Sequence, residues 1–279
     1  MKPNLVLALD FQKRECIDYW IEETEHLFDW YKVGMEAFYA QGDYAIAKLF
    51  ERRKHIFLDL KLSDIPNTVY KATKALLSQY PIDMINVHAL SGRDTLSAFK
   101  EALMEMTDLY KKPIKAIGVT LLTSLSEEDL QMLGLTNIDQ TVMTLAHMVK
   151  NAGLDGVVCS TKEASMIKQK LGEQFLTVTP GIRFDQLSPH DQKRTGTLQE
   201  AVKVSDFIII GRALTEAQNP QEAIRTLRER WEQLPRQSWK SLRNVELFYM
   251  DTSYLPVVNI LTFMYSVKGL LFILKTPRS

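Results

Sequence analysis

The run FLDLKLSDIPNT, residues 57–68, places Asp59, Lys61 and Asp64 within six residues at the end of an apolar, strand-like stretch. In an extended segment side chains alternate faces, so Asp59 and Lys61 are expected to point the same way. An acid, an ammonium and a second acid at that spacing can hold fixed negative charge beside a proton donor, as acid–base chemistry requires. A strand-end salt bridge is the plainer use of the same residues, because ion pairs that only serve structure are common. Lys32, in YKVG, ends another apolar run. Two close carboxylates raise each other's pKa unless cations lie between them. An alternating set of Lys32, Asp59, Lys61 and Asp64 would keep the acids ionised and the lysines protonated near neutral pH. Such a set offers negative charge to stress a bound anion and an ammonium to deliver a proton.

The elements that must position these groups are short apolar runs, each ending in a polar residue. They are NLVLALD (4–10), DWYKVG (29–34), HIFLDLK (55–61), DMINVHA (83–89), KAIGVTLLT (115–123), LDGVVCS (154–160), FLTVTPG (175–181) and DFIIIGR (206–212). Near-continuous runs of Val, Ile and Leu suit strands buried on both faces of a parallel sheet. Helix-like segments lie between them, clearest at 15–28, 68–80, 94–106, 140–153 and 219–234. The last opens with Asn219 as a candidate N-cap and Pro220 at the first helical position. Eight strands alternating with helices imply an α/β fold of the (β/α)8, or TIM, barrel type. A doubly wound open sheet is the alternative, since alternation alone does not prove closure. The polar strand ends favour the barrel. Asp10, Lys32, Asp59, Lys61, His88, Thr120, Thr123, Ser160, Arg183 and Arg212 all fall at or just after strand C-termini, which converge on one mouth in a barrel.

TPGIR (179–183) and IIIGRAL (208–214) follow the seventh and eighth strands, where barrels often bind phosphate. Gly211 would let a backbone N–H approach the anion, and Arg212 would supply a forked cationic donor. A turn glycine followed by a surface arginine is the bland use of the same pair. The polar segment 184–197 reads as a long loop beside that site, able to act as a lid, with Gln192 its candidate for substrate contact. A plain connecting loop is the alternative. His88 reads as a wall residue rather than a base. There is no P-loop or dinucleotide fingerprint, no metal-ligand set and no Ser–His–Asp arrangement, so no cofactor and no metal are expected.

Composition sets outer bounds. The 34 basic residues balance the 34 acidic ones, so no global charge attracts nucleic acid or an acidic membrane. Cys16 and Cys159 form no C-x-x-C or zinc pattern, and Cys159 reads as a small core residue. The N-terminus lacks a signal peptide's apolar core and cleavage site, and the first 235 residues read as cytoplasmic. The segment 235–244 is basic and linker-like. Residues 256–274 are mostly apolar but contain Asn259 and Lys268, and their length is at the lower end for a membrane span. A membrane or partner anchor, a segment packed on the barrel, or an extension without a role are the readings open for 235–279.

Taken in order, ALD (8–10), YKVGMEAFY (31–39), FLDLKLSDIPNT (57–68), INVHA (85–89), LTS (122–124), DGVVCS (155–160), TPGIR, DQKR (191–194) and IIGRAL (209–214) resemble bacterial orotidine 5′-phosphate decarboxylases over residues 3–234. The resemblance implies a cofactor-free conversion of orotidine 5′-phosphate to UMP and CO2, the last step of de novo UMP synthesis. It also implies a (β/α)8 barrel and a homodimer with shared sites. It makes Lys61 the proton donor to C6 of the pyrimidine. Asp59 would lie near the substrate carboxylate, with Lys32 completing the charge network and touching the ribose. Asp64 and Thr68 would reach into the partner's site, Asp10 would bind a ribose hydroxyl and Thr123 the pyrimidine. Arg183, Gln192, Gly211 and Arg212 would serve the phosphate and the closing loop. Ser63 stands where many bacterial members carry His, which puts any interface role of that His in doubt. A related sugar-phosphate decarboxylase or isomerase, distinguished by metal dependence, and an inactive nucleotide-binding scaffold are the alternatives.

Overall fold

The computed structural model describes residues 2–135, 137–183 and 194–234. Gln192, most of the candidate lid and the whole of 235–279 therefore lie outside the described residues. Eight parallel strands close into a barrel: β1 (Asn4–Ala8), β2 (Trp30–Gly34), β3 (His55–Leu62), β4 (Met84–His88), β5 (Lys115–Val119), β6 (Gly156–Val158), β7 (Leu176–Thr179) and β10 (Phe207–Ile210). Around the ring the order is β1, β10, β7, β6, β5, β4, β3, β2, and β1 pairs with both β2 and β10. That closure excludes the open doubly wound sheet. Two short strands, β8 (Ile182–Arg183) and β9 (Gly196–Thr197), pair with each other outside the barrel.

The helices are α1 (Arg14–Thr24), α2 (Met35–Glu51), α3 (Pro66–Gln79), α4 (Arg93–Tyr110), α5 (Glu127–Met132), α6 (Ile138–Asn151), α7 (Thr161–Leu171), α8 (Leu198–Val204), α9 (Arg212–Thr215) and α10 (Pro220–Gln233). α10 starts as its sequence suggests: the Asn219 side chain accepts the Glu222 N–H at 3.2 Å, and Pro220 occupies the first turn. α5, α7 and α8 each open with a capping box, at Ser126/Asp129, Ser160/Glu163 and Thr197/Glu200. That Ser/Thr-x-x-Asp/Glu pattern is a readable start signal for helices that apolar periodicity alone leaves unmarked. Among the described residues no helix is long and apolar enough to cross a membrane.

Strand alternation sorts side chains into two cores. Inside the barrel Val6, Ala8, Trp30, Phe57, Met84, Ile117, Val178, Phe207 and Ile209 pack together. Outside it Leu5, Leu7, Tyr31, Leu58, Ile85 and their neighbours meet the helices. This double burial explains why the strands read as unbroken apolar runs. The inner cluster is a filled floor. Phe57 stands beside Met84, and the next inward positions on the same two strands are Asp59 and Asn86. Lys32 lies one repeat beyond Trp30, so the polar groups form the layer directly above the apolar floor.

β6 and β7 approach closely at Gly156, where an added Cβ would lie 2.2 Å from the Leu176 carbonyl oxygen and 2.5 Å from its Cβ. Backbone cannot retreat as a side-chain tip can. Gly156→Ala is therefore expected to cost about 1–3 kcal/mol or more, read as a lowered urea midpoint. An unchanged midpoint would show that the barrel wall yields there.

Candidate active site

The site is a ladder of alternating charges across three neighbouring strand ends. Lys32 Nζ lies 2.9 Å from Asp10 Oδ1 and 3.2 Å from Asp59 Oδ2, and Lys61 Nζ lies 2.8 Å from Asp59 Oδ1. The inner members are shielded, with the side chains of Lys32 and Asp59 10% and 11% exposed, while Asp10 at 44% and Lys61 at 27% face the opening. Lys32, Asp59 and Lys61 are thus brought together as expected. Asp10, assigned only to the ribose, is also the fourth charge of the alternation. Asp64 is exposed, its carboxylate accepts the adjacent Ile65 N–H at 2.7 Å, and among the described residues it joins no ion pair of the chain. Thr68 is exposed as well.

Burial pushes the Asp59 pKa upward, but the charges of Lys32 and Lys61 and hydrogen bonds from Lys61 and Asn86 outweigh it and bring it to about 2. Burial pulls Lys32 down, and the carboxylates of Asp59 and Asp10 more than offset that, so its pKa is raised. Asp59 is therefore held ionised beside a protonated Lys32.

The reason Asp59 meets Lys61 differs from simple alternation. β3 loses register against β4 between Leu58 and Leu62, and Lys61 takes a left-handed backbone with φ of 52°. A side chain other than glycine in that region costs on the order of 1–2 kcal/mol. Asn86 on β4 holds the irregular turn: its Oδ1 accepts the Lys61 N–H at 2.8 Å, and its Nδ2 donates to Asp59 Oδ1 at 2.7 Å. Asn86 is fully buried. Sequence reasoning passed over it inside INVHA, although a polar residue amid a double-buried strand is the available signal. Gly34 was also missed. An added Cβ there would meet Asp10 Oδ1 at 2.7 Å and Lys32 Nζ at 2.8 Å, so the ladder crosses the strand end only because the position has no side chain.

Other strand-end residues divide by role. His88 Nδ1 accepts the Leu90 N–H at 3.3 Å. Burial and the charge of Lys61 lower its pKa, so it is neutral at neutral pH and serves as wall. Thr120 Oγ1 donates to the Val158 carbonyl and Ser160 caps α7, so both serve the backbone. Cys159 is fully buried, and burial holds its thiol well above the ordinary range. Thr123 is buried just beyond β5. Across the mouth Arg183 ends β8, and Gly211 precedes Arg212 at the start of α9. A Cβ on Gly211 would make only an ordinary 3.7 Å contact with Ala8, so among the described residues its smallness is not required by packing. Among the described residues no group of three or more His, Cys, Asp or Glu is placed to hold a metal ion.

Fold and mouth together define the class, a (β/α)8-barrel enzyme with alternating charges at the ends of β1, β2 and β3 and arginines following β7 and β10. The chain belongs to the orotidine 5′-phosphate decarboxylase / HUMPS family, whose profile matches residues 3–227. It is 41% identical over 237 residues to orotidine 5′-phosphate decarboxylases of Bacillus cereus and Bacillus cytotoxicus, covering 83% of this chain and 98% of each relative. The crystal structure of orotidine 5′-phosphate decarboxylase from Lactobacillus acidophilus superposes with a TM-score of 0.68 at 35% identity, over 83% of this chain and 99% of that one. An uncharacterised conserved protein from Geobacillus kaustophilus gives the same TM-score at 36% identity, over 81% and 99%.

Two outcomes follow from this geometry. A group whose folded pKa is depressed adds stability above its ordinary value and loses it as pH falls through the folded value. For Asp59 that window runs from the ordinary 3.8 down to about 2, so a carboxyl-carbon NMR titration should show its midpoint well under 3.8. A midpoint at the ordinary value would dissolve the ladder. Lys32 has the opposite sign, contributing below its ordinary 10.5 and losing that contribution only as pH rises through its raised value. Asn86→Ala removes both the acceptor for Lys61 N–H and a donor to Asp59. A displaced reacting group costs about 10²-fold, so turnover should fall by that order while inorganic phosphate binds as before. Equal loss of both would make Asn86 a general fold residue.

Proposed function

We propose that the chain decarboxylates orotidine 5′-phosphate to UMP and CO2 without metal or cofactor, as an enzyme of de novo pyrimidine synthesis. The observation that carries this is the buried Asp59 carboxylate, held ionised between Lys32 and Lys61. A fixed anion beside the substrate carboxylate opposes the ground state in which two negative charges meet. As the C6–carboxylate bond breaks, CO2 departs and the bonding pair stays on C6, where Lys61 is the group assigned to stabilise it and then transfer a proton. Lys32 and Asp10 take the ribose hydroxyls, and Thr123 the pyrimidine. Arg183, Gln192, Gly211 and Arg212 take the phosphate, whose binding energy is spent at the reacting centre.

The active form in this reading is a homodimer in which Asp64 and Thr68 complete the partner's site. Their exposure supports it, as does the exposure of Ile65, 66%, beside Asp64 and of Leu90, 50%, next to the Ser91 that bonds Ser63. Ser63 is available to that surface and bonds Ser91 Oγ at 2.8 Å. Two free cysteines fit a cytoplasmic setting. Residues 1–234 form the decarboxylase domain, and 235–279, beyond the family match, form an extension of unassigned role.

The test is loss of substrate absorbance when orotidine 5′-phosphate is added to the full chain in EDTA. Turnover is expected, and Lys61→Ala should lower it by about 10²–10⁴-fold with the fold retained. A folded, dimeric protein that turns nothing over would overturn the proposal.

A further inference from the structure

Arg194 closes the DQKR run, yet none of the roles above uses it. Its side chain is 11% exposed, and both terminal nitrogens of its guanidinium are engaged. Nη1 donates to Glu163 Oε1 at 2.6 Å, and Nη2 donates to the carbonyls of Leu121 at 3.1 Å and Leu122 at 2.9 Å. Its backbone N–H donates to the Thr123 carbonyl at 3.3 Å. One residue therefore holds three successive carbonyls beyond β5. The other end is anchored too: Glu163 is 2% exposed and its Oε2 accepts the Ser160 N–H at 2.8 Å, fixing it to the start of α7. Forked, charge-assisted bonds to separate acceptors need a planar guanidinium, which a lysine cannot imitate.

The ring order gives this clamp a purpose. The charge ladder with Asn86 occupies the ends of β1, β2, β3 and β4, while Gly211 and Arg212 follow β10 and Arg183 follows β7. The arc left over is β5 and β6, facing the ladder across the mouth. A nucleotide with its phosphate at β7 and β10 and its reacting carbon at Lys61 has only that arc to lie against with its base. The segment 121–123 is the part of the arc that Arg194 holds.

We propose that Arg194, locked by Glu163, is a positioning residue that sets the Leu121–Thr123 segment as the wall for the substrate's heterocyclic base. This rests on the decarboxylase reading, which puts a nucleotide in the mouth. Arg194 touches no reacting atom. It acts through the backbone it holds, so its loss weakens recognition of the base and spares recognition of the sugar phosphate.

The test compares UMP with ribose 5-phosphate, which lacks the base, by calorimetry on the full chain. The proteins are the wild type, Arg194→Lys and the double variant Arg194→Met/Glu163→Gln, which leaves no unpaired buried charge. In the double variant the UMP Kd should rise at least ~10-fold, equivalent to about 1.4 kcal/mol, while that of ribose 5-phosphate stays within about 2-fold. Arg194→Lys should fall between. An unchanged ratio of the two affinities in a folded variant, whether neither or both weaken, overturns the role, because a merely structural clamp moves both together. If the double variant does not fold, Arg194→Lys decides by the same ratio. A wild type that binds UMP no tighter than ribose 5-phosphate has no base wall, and the role falls. Normal discrimination without turnover of orotidine 5′-phosphate would sink the decarboxylase reading and leave the wall standing.

Discussion

A carboxylate buried at the mouth of a barrel is unfavourable unless it is paired, and Asp59 is paired on both sides. Much of the site follows from that requirement. Lys32 and Lys61 sit within 3.2 Å and 2.8 Å of its two oxygens. Asp10 pairs with the inner lysine, Lys32, and Asn86 donates a further hydrogen bond to Asp59. Desolvation alone would have protonated the acid; two cations and two hydrogen bonds hold it ionised instead. The filled apolar floor of Trp30, Phe57 and Met84 keeps water from below, so the charges act in a weakly screening environment.

The geometry that accomplishes this is locally unfavourable. Lys61 occupies a left-handed backbone conformation at a register break, with Asn86 accepting its N–H. Strain of this kind persists where surrounding contacts over-determine it, and it concentrates at functional sites. The rest of the barrel is regular, with inner and outer cores sorted by alternation. The irregularity falls at the strand end where Lys61 turns back to meet Asp59 of the same strand.

The mouth is divided by arc. The charge ladder lies at the ends of β1, β2 and β3, the arginines follow β7 and β10, and a backbone wall fixed by a buried guanidinium follows β5. The loops that carry them are tied by capping boxes and side-chain-to-backbone bonds.

The strand count, the barrel and the central trio of Lys32, Asp59 and Lys61 were legible in the sequence. Unbroken Val, Ile and Leu runs ending in polar residues are a local signature of doubly buried parallel strands, and the D-x-K-x-x-D spacing is local too. The place of Asp10 as the fourth charge, the roles of Asn86 and Gly34 and the Arg194 clamp were not legible. Each depends on residues 22 or more positions apart meeting across strand ends, as Asp10 meets Lys32 and Arg194 meets Leu121. Sequence by itself determined which residues carry charge and which strand ends they occupy, because both follow from residue type and short-range periodicity. Only the tertiary structure decided which charges touch, since ring order and register bring distant segments within hydrogen-bonding distance.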